Sequence, residues 1–460
     1  MSLAKLETFI FDKVSETKLP GLSAALIMGD QVVWSKGFGF RDLEQGLPAT
    51  PHTLYSIGSL TKSFTAIAIL QLAEQSQLKL DDTVDKYVPF DIMYGEEPVC
   101  IKHFLSHTSG IPALAYAENL IRGKTGASAN WLPIASYSDL LTFMKDAQDW
   151  TLAEPGERWF YLNEGYVLLG YIIEKCSGMT YQEYVKKHIL DPLDMKRSFF
   201  HKEEVDNDQD VATPYVITQA GERTPSTYPY GSLSGDGGLI SNVLDLAKYV
   251  SMFLNWGELK TGQILTHKSI EAMESPHSTT SHKDGSFGDY SYGYGLGILP
   301  DFLEHTLIGH SGSIGVATAY MGFIPEKRAG ILLLTNGSGY PLAQLGMYGL
   351  ATALGQDPDE LPFVQREKVL RELEGIYETY KGTMKAQVKR MGDLMVIEIK
   401  DNYNTTTVPL IPESIGEDES IFYTLAGGAR ITVEFRFHDG QPDMIYERYY
   451  FRKSGELPRS

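Results

Sequence analysis

The stretch Tyr55-Ser56-Ile57-Gly58-Ser59-Leu60-Thr61-Lys62-Ser63-Phe64 decides how the chain is read, and within it the pair Ser59 and Lys62. If the residues after Gly58 are helical, side chains three apart lie one above the other, so a hydroxyl and an amine come into contact. A serine hydroxyl is a weak nucleophile at neutral pH, and a neighbouring lysine made neutral by burial can take its proton. In the first turn of a helix, the dipole and the unpaired N–H groups also favour developing negative charge.

Working outward, context separates this pair from its copies. Ser-x-x-Lys recurs elsewhere, among other places at Ser15/Lys18 and Ser76/Lys79. From Leu60 to Ala73 the chain is apolar nearly all round, the mark of a helix buried in a large protein. Lys62 enters that helix, whereas those two pairs lie in polar segments and read as solvated surface. The bland alternative is a capping serine beside a snorkelling lysine.

Length and composition bound the answer. The 460 residues suggest two or three domains, and 43% apolar with 22% charged residues is ordinary globular composition. A net charge of −19 argues against nucleic acid, and no apolar run approaches the ~20 residues that span a bilayer. The opening MSLAKLETFIFDKVSE lacks the pattern of a signal peptide. Cys100 and Cys176, far apart, suggest a reducing compartment without a disulfide framework, so the expectation is a cytoplasmic protein with no membrane partner.

In chain order, Leu22 to Met28 and Gln31 to Phe38 read as strands around a Gly29-Asp30 hairpin. A mainly helical stretch runs from about 80 to 245, including Leu140 to Lys145, Glu164 to Cys176 and Tyr181 to His188. Strands return at Tyr294 to Leu299, Val316 to Ile324 and Ala329 to Leu334. The expected fold is therefore α/β (α+β), an antiparallel sheet flanked by helices with an α-rich lobe. Residues 1–358 form that domain, 359–374 a linker with a short helix, and 375–460 a series of short strands. Seven strands are read there, the last from Met444 to Phe451, as a small antiparallel barrel or sandwich.

Two further constellations carry chemistry. Of 27 tyrosines only Tyr161 has an asparagine two residues on, Asn163. A tyrosine near a lysine can shuttle protons, and an amide can hold both Lys62 and a substrate; the alternative is a buried Tyr with an N-cap Asn. His310-Ser311-Gly312 is read as opening a strand that lines a cleft, or as an ordinary strand entry. His103 and His107 stand four apart, but no third ligand is evident and no metal is expected. No Gly-x-Ser-x-Gly exists, and Gly123-Lys124-Thr125 lacks the upstream glycine of a P-loop.

As an ordered set, these motifs resemble the serine β-lactamase and penicillin-binding superfamily, in particular its class C-like branch with esterases and D-aminopeptidases. The resemblance also rests on Phe104 to Pro112, on Pro155 through Tyr161-Leu162-Asn163 to Tyr171, and on Asp191 to Met195. It continues through Gly237-Gly238-Leu239-Ile240-Ser241, Tyr294 to Gly297 and Gly309 to Gly312, covering about residues 20 to 340. It implies Ser59 as acylated nucleophile, Lys62 as base, Tyr161 as proton donor to the leaving group, and Asn163 orienting the substrate. His310 and Gly312 would bind substrate, and the backbone N–H groups of Ser59 and Ser313 would form the oxyanion hole, worth ~3 kcal/mol per donor.

The family's third motif is commonly Lys-Thr-Gly. Here Lys124-Thr125-Gly126 comes too early and Lys260-Thr261-Gly262 lies between helices, so His310 takes the place. A histidine of pKa ~6.5 is mostly neutral at pH 7, which implies weaker recognition of carboxylate-bearing β-lactams and favours ester or amide substrates. The C-terminal strands resemble the lipocalin-like barrel of some D-aminopeptidase relatives, which bears on assembly and leaves a homo-oligomer open. The expected protein is a serine acyl hydrolase acting on a small molecule or short peptide without cofactor; the second reading is a catalytically silent relative used for binding or assembly.

Overall fold

The computed structural model describes residues 3–457 other than 127, 130, 131, 219, 232, 261, 285, 393 and 439. The first two residues of the opening stretch and Thr261 of the second Lys-Thr-Gly copy lie outside the described residues. The chain divides into two compact units, Met1–Gln356 and Asp357–Ser460.

The first unit is built on a nine-stranded antiparallel sheet. Its strands are β1 (Gly21–Met28), β2 (Gln31–Asp42), β3 (Leu47–Pro48), β4 (Ser278–Asp284), β5 (Gly288–Tyr292), β6 (Gly297–Phe302), β7 (His305–Ser313), β8 (Thr318–Ile324) and β9 (Ala329–Thr335). In space they run β4-β5-β6-β7-β8-β9-β1-β2-β3, so both ends of the unit's sequence meet where β9 pairs with β1. Every residue of β9 is buried, which is why its sequence is a continuous apolar run rather than an alternation.

The two faces of the sheet bury different partners. Tyr320 and Ile331 lie under Gly346 and Gly349 of the helix Leu342–Ala353, where a β-carbon would collide with them. Met321, Phe323, Leu332 and Leu334 belong to the large core on the opposite face, where Phe253 stacks on Phe323. That core also takes in the buried side of Thr61–Glu74 and of Asn163–Ser177 from the helical lobe. The opening segment, expected as polar surface, is a helix, Leu3–Glu16, that buries Leu6 and Ile10.

The second unit is a closed eight-stranded antiparallel barrel, from Gly375–Glu378 through to Tyr449–Gly455. The stretch read as one last strand, Met444 to Phe451, is two, Gln441–Tyr446 and Tyr449–Gly455. Glu447 adopts φ 53° at the turn, a left-handed conformation with no glycine or proline to announce it. The helix expected within a linker spans Pro362–Leu373, and its Leu370 and Leu373 complete the barrel's own core with Tyr377, Phe422 and Phe435. Among the described residues, no helix is long and apolar enough to cross a membrane.

Candidate active site

Ser59 sits in a 3-10 turn, Gly58–Leu60, that leads into the helix Thr61–Glu74. Twelve consecutive residues of that helix, Thr61 to Leu72, are buried, and Lys62 is 0% exposed. Its Nζ lies 3.1 Å from Ser59 Oγ, 2.7 Å from Asn163 Oδ1 and 2.7 Å from the Asp236 carbonyl oxygen. With two N–H bonds donated to Asn163 and Asp236, the remaining position on Nζ faces the serine oxygen. In a neutral amine that position is a lone pair, oriented to accept the hydroxyl proton. The Ser15/Lys18 and Ser76/Lys79 pairs have no such burial: all four residues are exposed.

Asn163 is the first residue of the helix Asn163–Ser177, and Leu162 rather than Asn163 occupies the N-cap. Its side chain turns to the site, accepting from Lys62 and donating from Nδ2 to Glu118 Oε1 at 3.2 Å. Tyr161 faces the same cleft, its ring centroid 4.9 Å from Lys62 Nζ. No hydrogen bond joins its hydroxyl to Ser59 or Lys62 among the described residues, so the amine and the nucleophile are in contact while the phenol stands beside them.

The segment carrying Tyr161 is fixed by a residue to which sequence reasoning gave no role in the site. His107, in a left-handed conformation at φ 56°, accepts from Phe160 N–H with its carbonyl (2.8 Å) and from Leu162 N–H with Nδ1 (3.0 Å). Its ring packs 4.2 Å from that of Tyr161. Burial, with Lys62 and His310 nearby, holds His107 well below the usual histidine pKa, so it remains an acceptor at Nδ1. The neighbouring His103 accepts from Cys100 N–H and caps its own short helix.

Across the cleft, Gly58 and Gly312 permit an unusually close approach of two backbones. A β-carbon on Gly312 would lie 2.0 Å from Ile57 O and 3.1 Å from Ser59 N. One on Gly58, where φ is +52°, would lie 2.9 Å from Ser313 N. Only glycines let the nucleophile turn and β7 touch, and the contact brings the amides of Ser59 and Ser313 to one rim. The expectation that His310 opens a strand is corrected: β7 starts at His305, after a hairpin at Leu303 and Glu304, both at positive φ, and His310 lies toward its end.

His310 is 7% exposed. Its Nε2 lies 2.9 Å from Tyr292 Oη and its Nδ1 2.6 Å from the Ser311 carbonyl. The carbonyl can only accept, so Nδ1 carries the proton and Nε2 accepts from the tyrosine. Burial and the nearby Lys62 push its pKa down to about 4. The imidazole is therefore neutral through the physiological range.

Ser59, Tyr161, Asn163 and His310 line a cleft of about 870 Å³, walled by apolar and aromatic residues such as Trp159, Tyr290, Leu299 and Tyr320. Among the described lining residues no lysine or arginine appears, but two carboxylates do, Glu118 and Asp236. Neither was singled out from the sequence. The early Lys-Thr-Gly copy ends the helix Tyr116–Thr125, with Lys124 Nζ on the Tyr230 carbonyl; in the later one, Gly262 belongs to a small hairpin, Glu258–Leu259 with Gly262–Gln263.

Residues 6–353 match the family model described as Beta-lactamase, and residues 358–452 match that of the Pab87 octamerisation domain. The solved octameric penicillin-binding protein homologue from Pyrococcus abyssi is 47% identical to this chain, with a TM-score of 0.94. The match covers 98% of this chain and 100% of that one. Protein flp of Staphylococcus aureus (strain MW2) is 29% identical over 347 residues, 73% of this chain but only 63% of the relative. Penicillin-binding protein 4* of Bacillus subtilis (strain 168) is 26% identical over 392 residues, 81% of this chain and 82% of that protein.

Proposed function

The chain belongs to the beta-lactamase family, and on that premise we propose that it is a serine acyl hydrolase working through an acyl-enzyme at Ser59. The observation that carries this reading is the hydrogen bonding of Lys62: two of its partners are fixed, and what is left of Nζ points at Ser59 Oγ. Lys62 takes the hydroxyl proton as Oγ bonds to the scissile carbonyl carbon. The oxyanion forms against the N–H groups of Ser59 and Ser313, and Tyr161 delivers a proton to the leaving amine or alcohol, replaced by the one that Lys62 took from Ser59. Water, deprotonated along the same path, then splits the ester and frees Ser59. Asn163 orients the acyl group, with His310 and Gly312 along its other edge.

The substrate class follows from charge. A neutral His310 where relatives commonly carry a lysine offers no cation for a carboxylate, so amides and esters of uncharged or cationic acyl groups are preferred over β-lactams. For the second unit, the match to an octamerisation domain and the octameric state of the Pyrococcus abyssi homologue support assembly as a homo-oligomer. The two cysteines, free and half-buried, are consistent with a cytoplasmic protein.

The test is labelling with a fluorophosphonate. Mass spectrometry is expected to find one adduct, on Ser59, absent in Ser59→Ala, together with turnover of p-nitrophenyl esters that survives a chelator. No adduct and no ester turnover would favour the silent binding or assembly protein. Light scattering of the intact chain reads the oligomer.

A further inference from the structure

Tyr161 has to present one oxygen to a leaving group, yet it stands in a stretch that no helix or strand holds. Residues 151–162 form turns and irregular backbone only, up to the start of the helix Asn163–Ser177. For a proton donor this matters, because a displacement of about 1 Å can cost on the order of 10²-fold in rate. The precision must come from outside the stretch.

It comes from the turn that follows the helix Ile101–Leu105. Three carbonyls of that turn take N–H groups from the irregular stretch: His107 from Phe160 (2.8 Å), Thr108 from Gly156 (2.8 Å) and Gly110 from Leu152 (2.9 Å). The two backbones lie so close that a β-carbon on Gly110 would fall 2.0 Å from Ala153 O. Only His107 among these holds the residues on both sides of Tyr161, because its Nδ1 also receives Leu162 N–H at 3.0 Å. Its ring lies 4.2 Å from the phenol ring between those two bonds.

Packing alone does not account for an imidazole here. With Nδ1 accepting, the proton sits on Nε2, which is buried and has no partner among the described residues. An unpaired buried donor is costly, and a phenylalanine would fill the space beside Trp159, Tyr166 and Tyr292 without it. What a phenylalanine cannot do is accept from Leu162. Burial, with Lys62 and His310 nearby, keeps the ring uncharged, so the acceptor persists.

We infer that His107 is a positioning residue for protonation of the leaving group: by receiving Leu162 N–H, its Nδ1 sets where the Tyr161 hydroxyl stands. This rests on the acyl-hydrolase reading above and adds to it the group that aims its acid. In acylation, the bond from Ser59 Oγ to the carbonyl carbon forms and the bond from that carbon to the leaving oxygen or nitrogen breaks. Tyr161 gives its proton to the departing atom and is replenished from Lys62, while His107 keeps its own proton on Nε2 throughout.

The test is kcat/KM, which reports acylation, on p-nitrophenyl, phenyl and ethyl acetate. The acyl group is constant and the need for a proton rises along the series, since p-nitrophenolate departs unaided and ethoxide does not. His107→Phe keeps a ring against Tyr161 and removes the acceptor. It is expected to lose roughly 10- to 100-fold more on the ethyl than on the p-nitrophenyl ester, part of the ~10²- to 10⁴-fold that a general acid supplies. His107→Asn, whose Oδ1 stands where Nδ1 did and which tolerates the left-handed turn, is expected to restore most of that ratio. Each ratio is taken within one preparation, so a partly unfolded variant does not disturb it. Equal losses on all three esters, or a ratio in His107→Asn as poor as in His107→Phe, would overturn the inference. Tyr161→Phe tells the two readings apart. If it is selective against the ethyl ester and His107→Phe is not, Tyr161 is the acid and His107 does not aim it; if it is not selective, or no ester is turned over at all, both readings fall.

Discussion

The two walls of the cleft treat charge in opposite ways. On the helical-lobe side Lys62 Nζ is shared among Ser59, Asn163 and the Asp236 carbonyl, and the carboxylates of Glu118 and Asp236 line the cleft. On the sheet side His310 is clamped between a tyrosine hydroxyl and a carbonyl and kept uncharged by burial. On the proposed reading, the difference teaches that the place of Ser59 is held by a close meeting of backbones. The charge a substrate may carry would then be set by side chains on walls that can be rebuilt independently.

The largest effect should come from breaking the backbone contact on which both walls depend. In Gly312→Ala the new β-carbon would fall 2.0 Å from Ile57 O, so β7 must retreat from the nucleophile turn and carry Ser313 N–H with it. Losing one oxyanion donor costs about 10²- to 10³-fold in kcat. Steady-state ester hydrolysis is expected to show that loss with KM little changed, and retained activity would mean the two amides do not act together. A smaller effect should follow from moving charge between walls. His310→Lys places a cation on the neutral side, and acylation by a carboxylate-bearing penicillin is expected to rise about tenfold, a gain near 1.4 kcal/mol. The same variant should lose activity on ammonium-bearing substrates. If both substrate types fall together, the sheet wall does not set charge preference.

How much of this was legible in the sequence depends on how local the cause is. The Ser59/Lys62 pair was readable because three-residue spacing and an all-apolar helix are local facts, and the barrel because alternation and spacing are too. Local rules left Asn163 open between holding Lys62 and capping a helix, the resemblance favoured the first, and the Lys62–Asn163 bond bears it out. His107 was given no role because its work depends on a left-handed turn and on a bond to Leu162, 55 residues away, which its sequence neighbourhood does not announce. Glu118 and Asp236 gave no signal: each is a single acid in a polar neighbourhood, and only the fold brings them together. The hairpins at Leu303-Glu304 and Glu447 escaped because ordinary side chains occupy positive φ there.

The smallest effect is in stability, where Glu164, buried within the helical lobe, and His310 on the sheet side should pull in opposite directions with pH. Burial raises Glu164 to about 7 from an ordinary 4.5, so between those values the folded state keeps a proton that the unfolded chain releases. Stability contributed by this group therefore falls as pH rises through that window. His310 is the reverse: its folded pKa of about 4 lies below the ordinary 6.5, so the unfolded chain binds the proton first and stability rises with pH across that range. Glu164→Gln mimics the protonated acid, and its Tm relative to the unaltered protein is expected to climb by roughly 2–4 °C between pH 5 and pH 8. For His310→Gln the relative Tm should instead drop by a similar amount between pH 4.5 and pH 7. Both differences cancel the background titration of the other acids, so scanning fluorimetry at matched ionic strength is sufficient. Slopes of the same sign in the two variants would mean that charge on one wall is not independent of charge on the other, and the contrast between them would have to be given up.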